Sequence, residues 1–354
     1  FLARPVYRMK IPLESDTLYG YTFRPNATGT VESKCYRSEF TANSLGFHDS
    51  EPPQSTATEL LLLGDSIIEA MQVPQSQTTA AYIRASTPVD VVALGHSSAG
   101  TFTAKQAYMK YRGDTPPKAV VLFFTLSDDF QDNSCDYGMR TWCGRYGHNG
   151  SIVVENNTGS TPTRHLRNAV LNNCLTCTAL YVSMRNIDTY AWLLLPPEFG
   201  SLFEQRRKDA RSLTRRAILD LRNSVQADGG RFLVVLVPRH LGKYDSSAAG
   251  LAKALRRSGV PVLDLQPTFS AYVKAHDLGS TGVSFRCDRH WNPIGHYLAA
   301  QQVLQRLAQD KVITLNSNTD PQAALQKKPT EILDTKDFTA IYKGGFYIAQ
   351  QDDV

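Results

Sequence analysis

The sequence predicts an α/β protein built on a parallel, doubly wound β-sheet. Five short and almost continuously apolar runs have the composition of strands that are covered on both faces. They occupy residues 59–63, 88–94, 119–124, 231–237 and 260–265. Between them, apolar residues recur every three or four positions, most clearly over 202–226 and 294–307, which predicts helices. Strands that alternate with helices favour a parallel sheet, and such sheets bind ligands at the carboxyl ends of their strands.

Three regions do not follow this alternation, and they determine the predicted domain organisation. Residues 1–55 are rich in Tyr, Pro, Ser and Thr, which predicts an irregular or short-stranded lead-in packed on the sheet. Residues 131–200 separate the third and fourth strands and contain four of the six cysteines, so we expect an inserted cap. Residues 313–354 form a polar C-terminal tail. The α/β domain itself is expected over residues 56–312.

The composition is that of an ordinary globular protein. Of 354 residues, 42% are hydrophobic and 20% charged, and the formal net charge is +5, which excludes disordered, collagenous and coiled-coil chains. The longest apolar run, residues 119–126, is far shorter than the ~18 residues of a membrane-spanning helix, so no span is predicted. The basic excess is small and dispersed, so no nucleic-acid partner is predicted. The chain begins at Phe1 rather than at an initiator Met, and we expect a processed or trimmed product.

The six cysteines predict disulfide bonds and an oxidising compartment. Cys174 and Cys177 have the spacing of half a zinc site, but no second pair at metal-site spacing accompanies them, so no metal is expected. The favoured pairs are Cys135 with Cys143, Cys174 with Cys177, and Cys35 with Cys287. Sequence alone does not choose among the fifteen ways of pairing six cysteines, and six free thiols in a cytosolic enzyme are the alternative.

The tripeptide Gly64-Asp65-Ser66 follows the first predicted strand directly and precedes a helix-like segment. A Ser on a tight strand-to-helix turn is exposed at the carboxyl edge of a parallel sheet, and backbone N–H groups of the following helix point at a nearby oxyanion. Ser66 is therefore the candidate nucleophile. The alternative is that Asp65 or Ser66 only caps the next helix, which is the more frequent role of such residues.

The run from Cys287 to His296 carries the second group of candidate residues. His290 can remove a proton from a Ser hydroxyl, and Asp288 can hold the imidazole in one tautomer and stabilise its charged form. Pro293 fits the first turn of the helix that follows. His296 competes with His290, but it falls inside the predicted helix, where we expect it to brace the loop through a hydrogen bond.

Together these blocks resemble the SGNH/GDSL hydrolase superfamily. Residues 288–296 (DRHWNPIGH) resemble the D-x-H-W-N-P-x-G-H form of bacterial extracytoplasmic O-acetyl esterases and acyltransferases. Residues 43–51 resemble the N-S-x-G-F-R-D-x-E lead-in of the same group, with His48 in place of Arg. The resemblance implies a flavodoxin-like three-layer α/β/α sandwich with a parallel five-stranded sheet. It also implies hydrolysis or transfer of an ester-linked acyl group by Ser66 and His290, with Asp288 orienting the His and no cofactor.

Two positions depart from the family pattern, and both concern the oxyanion hole. Besides the N–H of Ser66, the family uses the N–H of a Gly, and Ser98 stands at that position. We expect a small Ser to serve if it adopts the backbone angles. The family also uses an Asn side chain where this chain has Asp128, and a carboxylate cannot donate a hydrogen bond. Either burial and Asp129 keep Asp128 protonated, or Ser127 supplies the donor, or the two backbone N–H groups suffice.

The sequence therefore predicts an extracytoplasmic, serine-dependent ester hydrolase or acyltransferase that acts on O-acetyl groups of a carbohydrate. Arg239, His240 and Lys243 follow the fourth strand and are candidate contacts for an anionic or sugar substrate, although loop residues there are commonly only solvated. Two alternatives stay open. One is a weakly active or non-catalytic binding module of the same fold, and the other is a lipid esterase whose apolar groove includes residues 193–195.

Overall fold

The structure is a computed structural model that describes residues 8–33, 35–53, 59–126, 128–137, 142–156, 197–238, 246–279, 282–287 and 289–314. The strands are β1 (Arg8–Lys10), β2 (Leu13–Asp16), β3 (Gly20–Phe23), β4 (Thr28–Glu32), β5 (Arg37–Thr41), β6 (Leu60–Gly64), β7 (Val91–Gly95), β8 (Ala119–Thr125), β9 (Trp142–Tyr146), β10 (Ile152–Asn156), β11 (Arg231–Val237) and β12 (Val262–Asp264). The α-helices are α1 (Ser66–Glu69), α2 (Thr79–Ser86), α3 (Thr101–Tyr111), α4 (Asp129–Asp132), α5 (Pro197–Ala227), α6 (Ser246–Arg257), α7 (Gln266–Ala275) and α8 (Pro293–Gln309). Single 3₁₀ turns cover Gln75–Gln77 and Cys135–Tyr137.

A parallel sheet of five strands forms the centre of the molecule, in the order β7-β6-β8-β11-β12. Numbered along the chain, this order is 2-1-3-4-5, which is the flavodoxin-like arrangement. Each of these strands lies within one of the predicted apolar runs or within a residue of it. The predicted parallel α/β fold is thus confirmed.

Helices cover both faces of this sheet. Alternate side chains of each strand point to opposite faces. On one face, side chains such as Leu61, Leu122 and Val234 pack against α3, α5 and α6. On the other face, their neighbours, such as Leu60 and Val121, pack against α2, α7 and α8. Because both faces are covered, successive residues must all be apolar, which explains the continuous apolar runs in the sequence. The result is a three-layer α/β/α sandwich.

The lead-in forms two small antiparallel sheets, one with the strand order β1-β4-β5 and one that pairs β2 with β3. Phe23, Val31 and Phe40 form a separate apolar cluster there. The cluster also contains Met71, which follows α1, and Phe285, which precedes the His290 loop. A disulfide between Cys35 and Cys287 joins the same two regions. The lead-in therefore contacts the chain next to both candidate catalytic residues.

The motif that contains His48 and Asp49 fastens the lead-in to the α/β body. Asp49 is buried, and its carboxylate pairs with Arg84 of α2. The ring nitrogens of His48 lie 3.0 Å from the carbonyl oxygen of Thr41 and 3.1 Å from that of Val73. Burial lowers the pKa of His48, against the opposing effect of these carbonyls. A neutral ring has one N–H and donates to one of the two carbonyls, whereas the Arg usual in the family could serve both.

The insert contains an antiparallel hairpin of β9 and β10. A disulfide joins Cys143 in β9 to Cys135, which precedes the hairpin. Two of the three favoured cysteine pairs are thus present. The third, Cys174 with Cys177, and residues 193–195 lie outside the described residues. Helix α5 begins at Pro197, so the expected end of the insert at residue 200 falls inside a helix. In the described part of the chain, no helix is long and apolar enough to cross a membrane.

Candidate active site

Ser66 is the first residue of α1 and stands at the carboxyl end of β6, a strand of the parallel sheet. Asp65 is the N-cap of this helix, and its Oδ1 accepts the N–H of Ile67 at 2.9 Å. The helix is a single turn that ends where Ala70 takes a left-handed conformation with φ 52°. The two roles considered from the sequence therefore coexist: Asp65 caps the helix, and the half-buried Ser66 is presented at the sheet edge.

His290 meets Ser66 across 224 residues of sequence. Its Nε2 lies 2.9 Å from Ser66 Oγ, a distance at which an imidazole can take the hydroxyl proton. A tight loop holds His290 here, because Phe285 N–H donates to the His290 carbonyl at 2.8 Å and Arg289 N–H donates to the Phe285 carbonyl at 2.9 Å. Arg289 adopts a left-handed φ of 69° in this loop.

The segment after His290 anchors the loop to the body. Trp291 is buried and contacts the rings of Phe123 in β8 and Phe269 in α7. Asn292 caps α8, since its Oδ1 accepts the N–H groups of Ile294 and Gly295 at 3.0 and 3.1 Å. The predicted helix start at Pro293 is therefore correct, and the cap is Asn292.

His296 lies within α8, as expected, but its hydrogen bond leads elsewhere. Its Nδ1 lies 3.0 Å from Thr79 Oγ1 at the start of α2. Burial, together with the nearby His290, lowers the pKa of His296 to about 3. The ring is therefore neutral. Its hydrogen bond to Thr79 braces α8 against α2, and its ring also contacts that of Trp291, next to His290, with the centroids 5.5 Å apart.

The backbone requirement at Ser98 is met. Ser98 is exposed in the loop that follows β7, and its φ is 64°, in the left-handed region that favours Gly. Ser66 and Ser98 follow neighbouring strands, β6 and β7, which are in register at Gly64 and Gly95. Their backbone N–H groups therefore belong to the same edge of the sheet.

The burial expected for Asp128 is not found. Asp128 is exposed at the N-terminus of α4, and the neighbouring Asp129 is the buried residue. Asp129 Oδ2 accepts the N–H of Thr125 at 2.8 Å. Burial raises the pKa of Asp129 well above its usual value, and the nearby Asp65 raises it further. The stretch therefore turns one carboxylate outward and one inward.

Asp65 is the acid closest in sequence to the candidate nucleophile, and its environment is unusual. Burial raises the pKa of Asp65 to about 6. The hydrogen bond from Ile67 N–H acts against this rise, the charge of Asp128 adds to it, and His290 opposes it. Acidic groups from the ends of β6 and β8 thus lie close enough to affect one another's ionisation.

Five residues expected at the site lie outside the described part of the chain. They are Asp288, Ser127, Arg239, His240 and Lys243. Their roles stay predictions.

Sequence reasoning missed one residue that the structure places beside the site. Glu69 lies three residues after Ser66 and is buried, with 1% of its surface exposed. A charged residue one helical turn after the candidate nucleophile, within the apolar run 67–71, was the available signal.

A region within the C-terminal half of the chain matches a known family. Residues 190–337 match the family model of the SGNH hydrolase-like domain of the acetyltransferase AlgX. The matched range contains Asp288 and His290 but not Ser66. No curated protein sequence matches the chain.

Several solved structures are similar to the protein at low sequence identity. A GDSL-like lipase from Bacteroides thetaiotaomicron is 9% identical, over 73% of this chain and 92% of that chain, with a TM-score of 0.39. A lipase/acylhydrolase from Enterococcus faecalis is 11% identical, over 74% and 99%, with a TM-score of 0.39. An acetyl xylan esterase is 11% identical, over 70% and 99%, also with a TM-score of 0.39.

Three features of the chain agree with the family match. The strand order is flavodoxin-like, the Ser66 turn and the His290 loop meet at its edge, and the matched domain includes that loop. In these respects the chain is similar to the SGNH hydrolase superfamily, and its residues 190–337 match an SGNH hydrolase-like domain.

Proposed function

We propose that the protein is a serine-dependent acyl esterase. The observation that carries the proposal is the 2.9 Å distance between Ser66 Oγ and His290 Nε2 at the carboxyl edge of the parallel sheet. Ser66 Oγ attacks the ester carbonyl while His290 takes its proton, and His290 returns that proton to the departing alcohol oxygen. An acyl-serine forms. Water or an acceptor hydroxyl, deprotonated by His290, then releases the acyl group and restores Ser66.

The negative charge that develops on the carbonyl oxygen needs hydrogen-bond donors. We assign this role to the backbone N–H groups of Ser66 and Ser98, because both lie at the ends of neighbouring strands. Asp288 is proposed to orient His290, since it is two residues away in the same loop.

The proposed substrate is an O-acetyl group on a carbohydrate, outside the cytoplasm. Among the described residues at or next to the site, Ser98, Asp128 and Arg289 are polar and exposed. A polar rim suits a hydroxyl-rich carrier better than a lipid chain, which needs an apolar groove. The two disulfides support an oxidising compartment, and the matched family model is that of an acetyltransferase. Transfer to a sugar hydroxyl would differ from hydrolysis only in the acceptor.

The test is reaction with an aryl acetate, followed by intact-mass and peptide analysis. Wild type is expected to release the aryl alcohol and to carry an acetyl group on Ser66 early in the reaction. Ser66→Ala is expected to lose both. Ser224→Ala on α5, far along the chain from the site, is the matched control and should react like wild type. Equal rates for wild type and Ser66→Ala would contradict the proposal.

A second candidate function, a carbohydrate-binding module with little turnover, is favoured by the exposed carboxylate of Asp128 at the position where the family has an amide. Calorimetry with an acetylated xylo-oligosaccharide separates the two functions. Binding without acetate release supports the module, and acetate release supports the esterase. Hydrolysis of long-chain esters in preference to acetates would support the lipid esterase instead.

A further inference from the structure

Glu69 is a buried acid on the same helical turn as Ser66. It is the last residue of α1, and its N–H donates to the Asp65 carbonyl at 3.0 Å. Burying a carboxylate is costly unless donors satisfy it, so a buried Glu in a one-turn helix requires a specific partner.

That partner is Ser97, in the loop after β7. One carboxylate oxygen of Glu69, Oε2, accepts the Ser97 backbone N–H at 3.2 Å and also accepts the Ser97 hydroxyl. In the described part of the chain, no protein group donates to the second oxygen, Oε1. The hydrogen bonds of this buried acid are therefore concentrated on the residue directly before Ser98.

The opposite side of the same loop is held by the lead-in. His96 Nδ1 lies 3.0 Å from the Ser97 carbonyl oxygen, and His96 Nε2 lies 2.8 Å from the carbonyl oxygen of Tyr21. The ring of Tyr19 stacks on that of His96, with the centroids 4.4 Å apart. Ser97 thus has hydrogen bonds at its N–H and its hydroxyl, and a ring nitrogen of His96 lies beside its carbonyl, which limits the backbone rotation available to Ser98.

Close packing of α1 on the end of β7 brings Glu69 to this loop. Gly95 ends β7, and a Cβ at this position would collide with the backbone nitrogen of Glu69. Only a residue without a side chain lets the helix approach so closely. One helical turn therefore carries Ser66 at its first residue and the support for Ser97 at its last.

Ser98 needs this support more than a Gly would. Its left-handed φ of 64° is unfavourable for a non-Gly residue, so the unrestrained loop favours other conformations. From these contacts we infer that Glu69 is a positioning residue. It holds Ser97 so that the N–H of Ser98 points at the acyl oxygen. This inference rests on the proposed function, because it takes the Ser98 N–H as an oxyanion donor.

The experiment compares Glu69→Ala, Glu69→Gln and Ser97→Ala with wild type. Loss of one oxyanion donor typically lowers kcat by ~10² to 10³, and we expect about 10² for Glu69→Ala, with KM within about twofold because the donor acts in the transition state. Glu69→Gln keeps an oxygen for the Ser97 N–H and should retain kcat within about threefold. Ser97→Ala keeps the hydrogen bond from the Ser97 N–H, so its loss of kcat should be smaller than that of Glu69→Ala. Adding Ser97→Ala to Glu69→Ala should lower kcat little further, because the bond to the hydroxyl is already gone.

Asp49→Ala is the matched control. Asp49 is also a buried carboxylate, and its Oδ2 accepts the N–H of Ala93 at 2.8 Å. Ala93 lies within β7, the strand that precedes the loop, and not in the loop itself. It should lower the melting temperature and leave kcat of the folded protein unchanged. All kinetics are measured well below each melting temperature.

A second readout does not depend on activity. Amide hydrogen exchange in residues 96–99 is expected to become at least about tenfold faster in Glu69→Ala and to stay unchanged in Glu69→Gln and Asp49→Ala. Unchanged exchange and kcat in Glu69→Ala would overturn the inference and leave the esterase proposal intact. Faster exchange with unchanged kcat would also overturn it, because Ser98 would then not be a donor. A wild type without turnover would instead overturn the proposed function.

Discussion

Asp65 combines a structural role with an unfavourable position for a charge. It caps α1 through the N–H of Ile67, yet burial raises its pKa to about 6. The folded protein therefore binds this proton more tightly than the unfolded chain. The stability that the proton contributes is complete below the ordinary pKa of 3.8 and is lost as the pH rises through about 6.

We predict that Asp65→Asn removes this loss. Asn keeps the capping oxygen but does not titrate. Relative to wild type, the free energy of unfolding of the variant should rise by about 1–3 kcal/mol between about pH 4 and about pH 7, measured by urea denaturation. Asp228→Asn is the control, because the Tyr108 hydroxyl and Arg112 lower the pKa of Asp228, so its difference from wild type should change only below about pH 4 and stay constant between about pH 4 and about pH 7. A difference between Asp65→Asn and wild type that does not change with pH would contradict the prediction.

Asp128 offers a test of the missing oxyanion donor. Its carboxylate can only accept hydrogen bonds, whereas an amide nitrogen donates. We predict that Asp128→Asn raises kcat for an aryl acetate by about tenfold, with KM within about twofold. Asp136→Asn, which also changes an exposed acid, should leave both constants unchanged. An equal kcat in Asp128→Asn would mean that the two backbone N–H groups suffice, and a lower kcat would mean that the carboxylate itself aids turnover.

The disulfide Cys35–Cys287 links two elements, the lead-in and the His290 loop. Its cysteines are 252 residues apart, so in the chain-entropy account it stabilises the fold by roughly 5 kcal/mol. Cys287 lies three residues before His290 and packs against the lead-in cluster. We predict that replacing both cysteines by Ser lowers the melting temperature and lowers kcat about tenfold, since His290 is then held less tightly.

The second disulfide provides the matched control for this element-level prediction. Cys135 and Cys143 are only 8 residues apart, which corresponds to roughly 2.5 kcal/mol in the same account. Replacing both by Ser should lower the melting temperature by less and leave kcat unchanged. If the two double variants lost activity equally, the Cys35–Cys287 bond would have no particular role in placing His290.

At the scale of the whole molecule, the lead-in and the α/β body share one apolar cluster. Phe285 of the body lies in that cluster, and its ring is 4.8 Å from that of Tyr36 in the lead-in. We predict that both parts unfold in a single transition, so that amides in β4 and β8 become unprotected together in hydrogen exchange.

Phe285→Ala should separate the two parts, lowering the free energy of unfolding by about 3–5 kcal/mol and exposing β4 before β8. Phe232→Ala, which removes a buried ring from the body only, should destabilise without separating them. Early exposure of β4 already in wild type would show that the lead-in is an independent unit.

Much of the fold could be predicted because its signals are local. The strand β8 is apolar at successive positions since helices cover both faces, and that pattern is visible without knowledge of any neighbour. Ser66 was identifiable for the same reason, because Gly64-Asp65-Ser66 follows an apolar run directly. Glu69 was not, because its meaning depends on Ser97, which lies 28 residues away on another loop.

The sequence by itself determined the five-stranded parallel sheet, the order of the motifs along the chain and the two residues, Ser66 and His290, that carry the proposed chemistry. Only the tertiary structure decided that these two meet at 2.9 Å, that Asp128 faces solvent while Asp129 is buried, and that His296 braces α2. Apolar periodicity fixes which residues face a core, and this depends on near neighbours alone. Distances between side chains, and the ionisation that follows from burial, depend on how separate segments pack, which no local pattern contains.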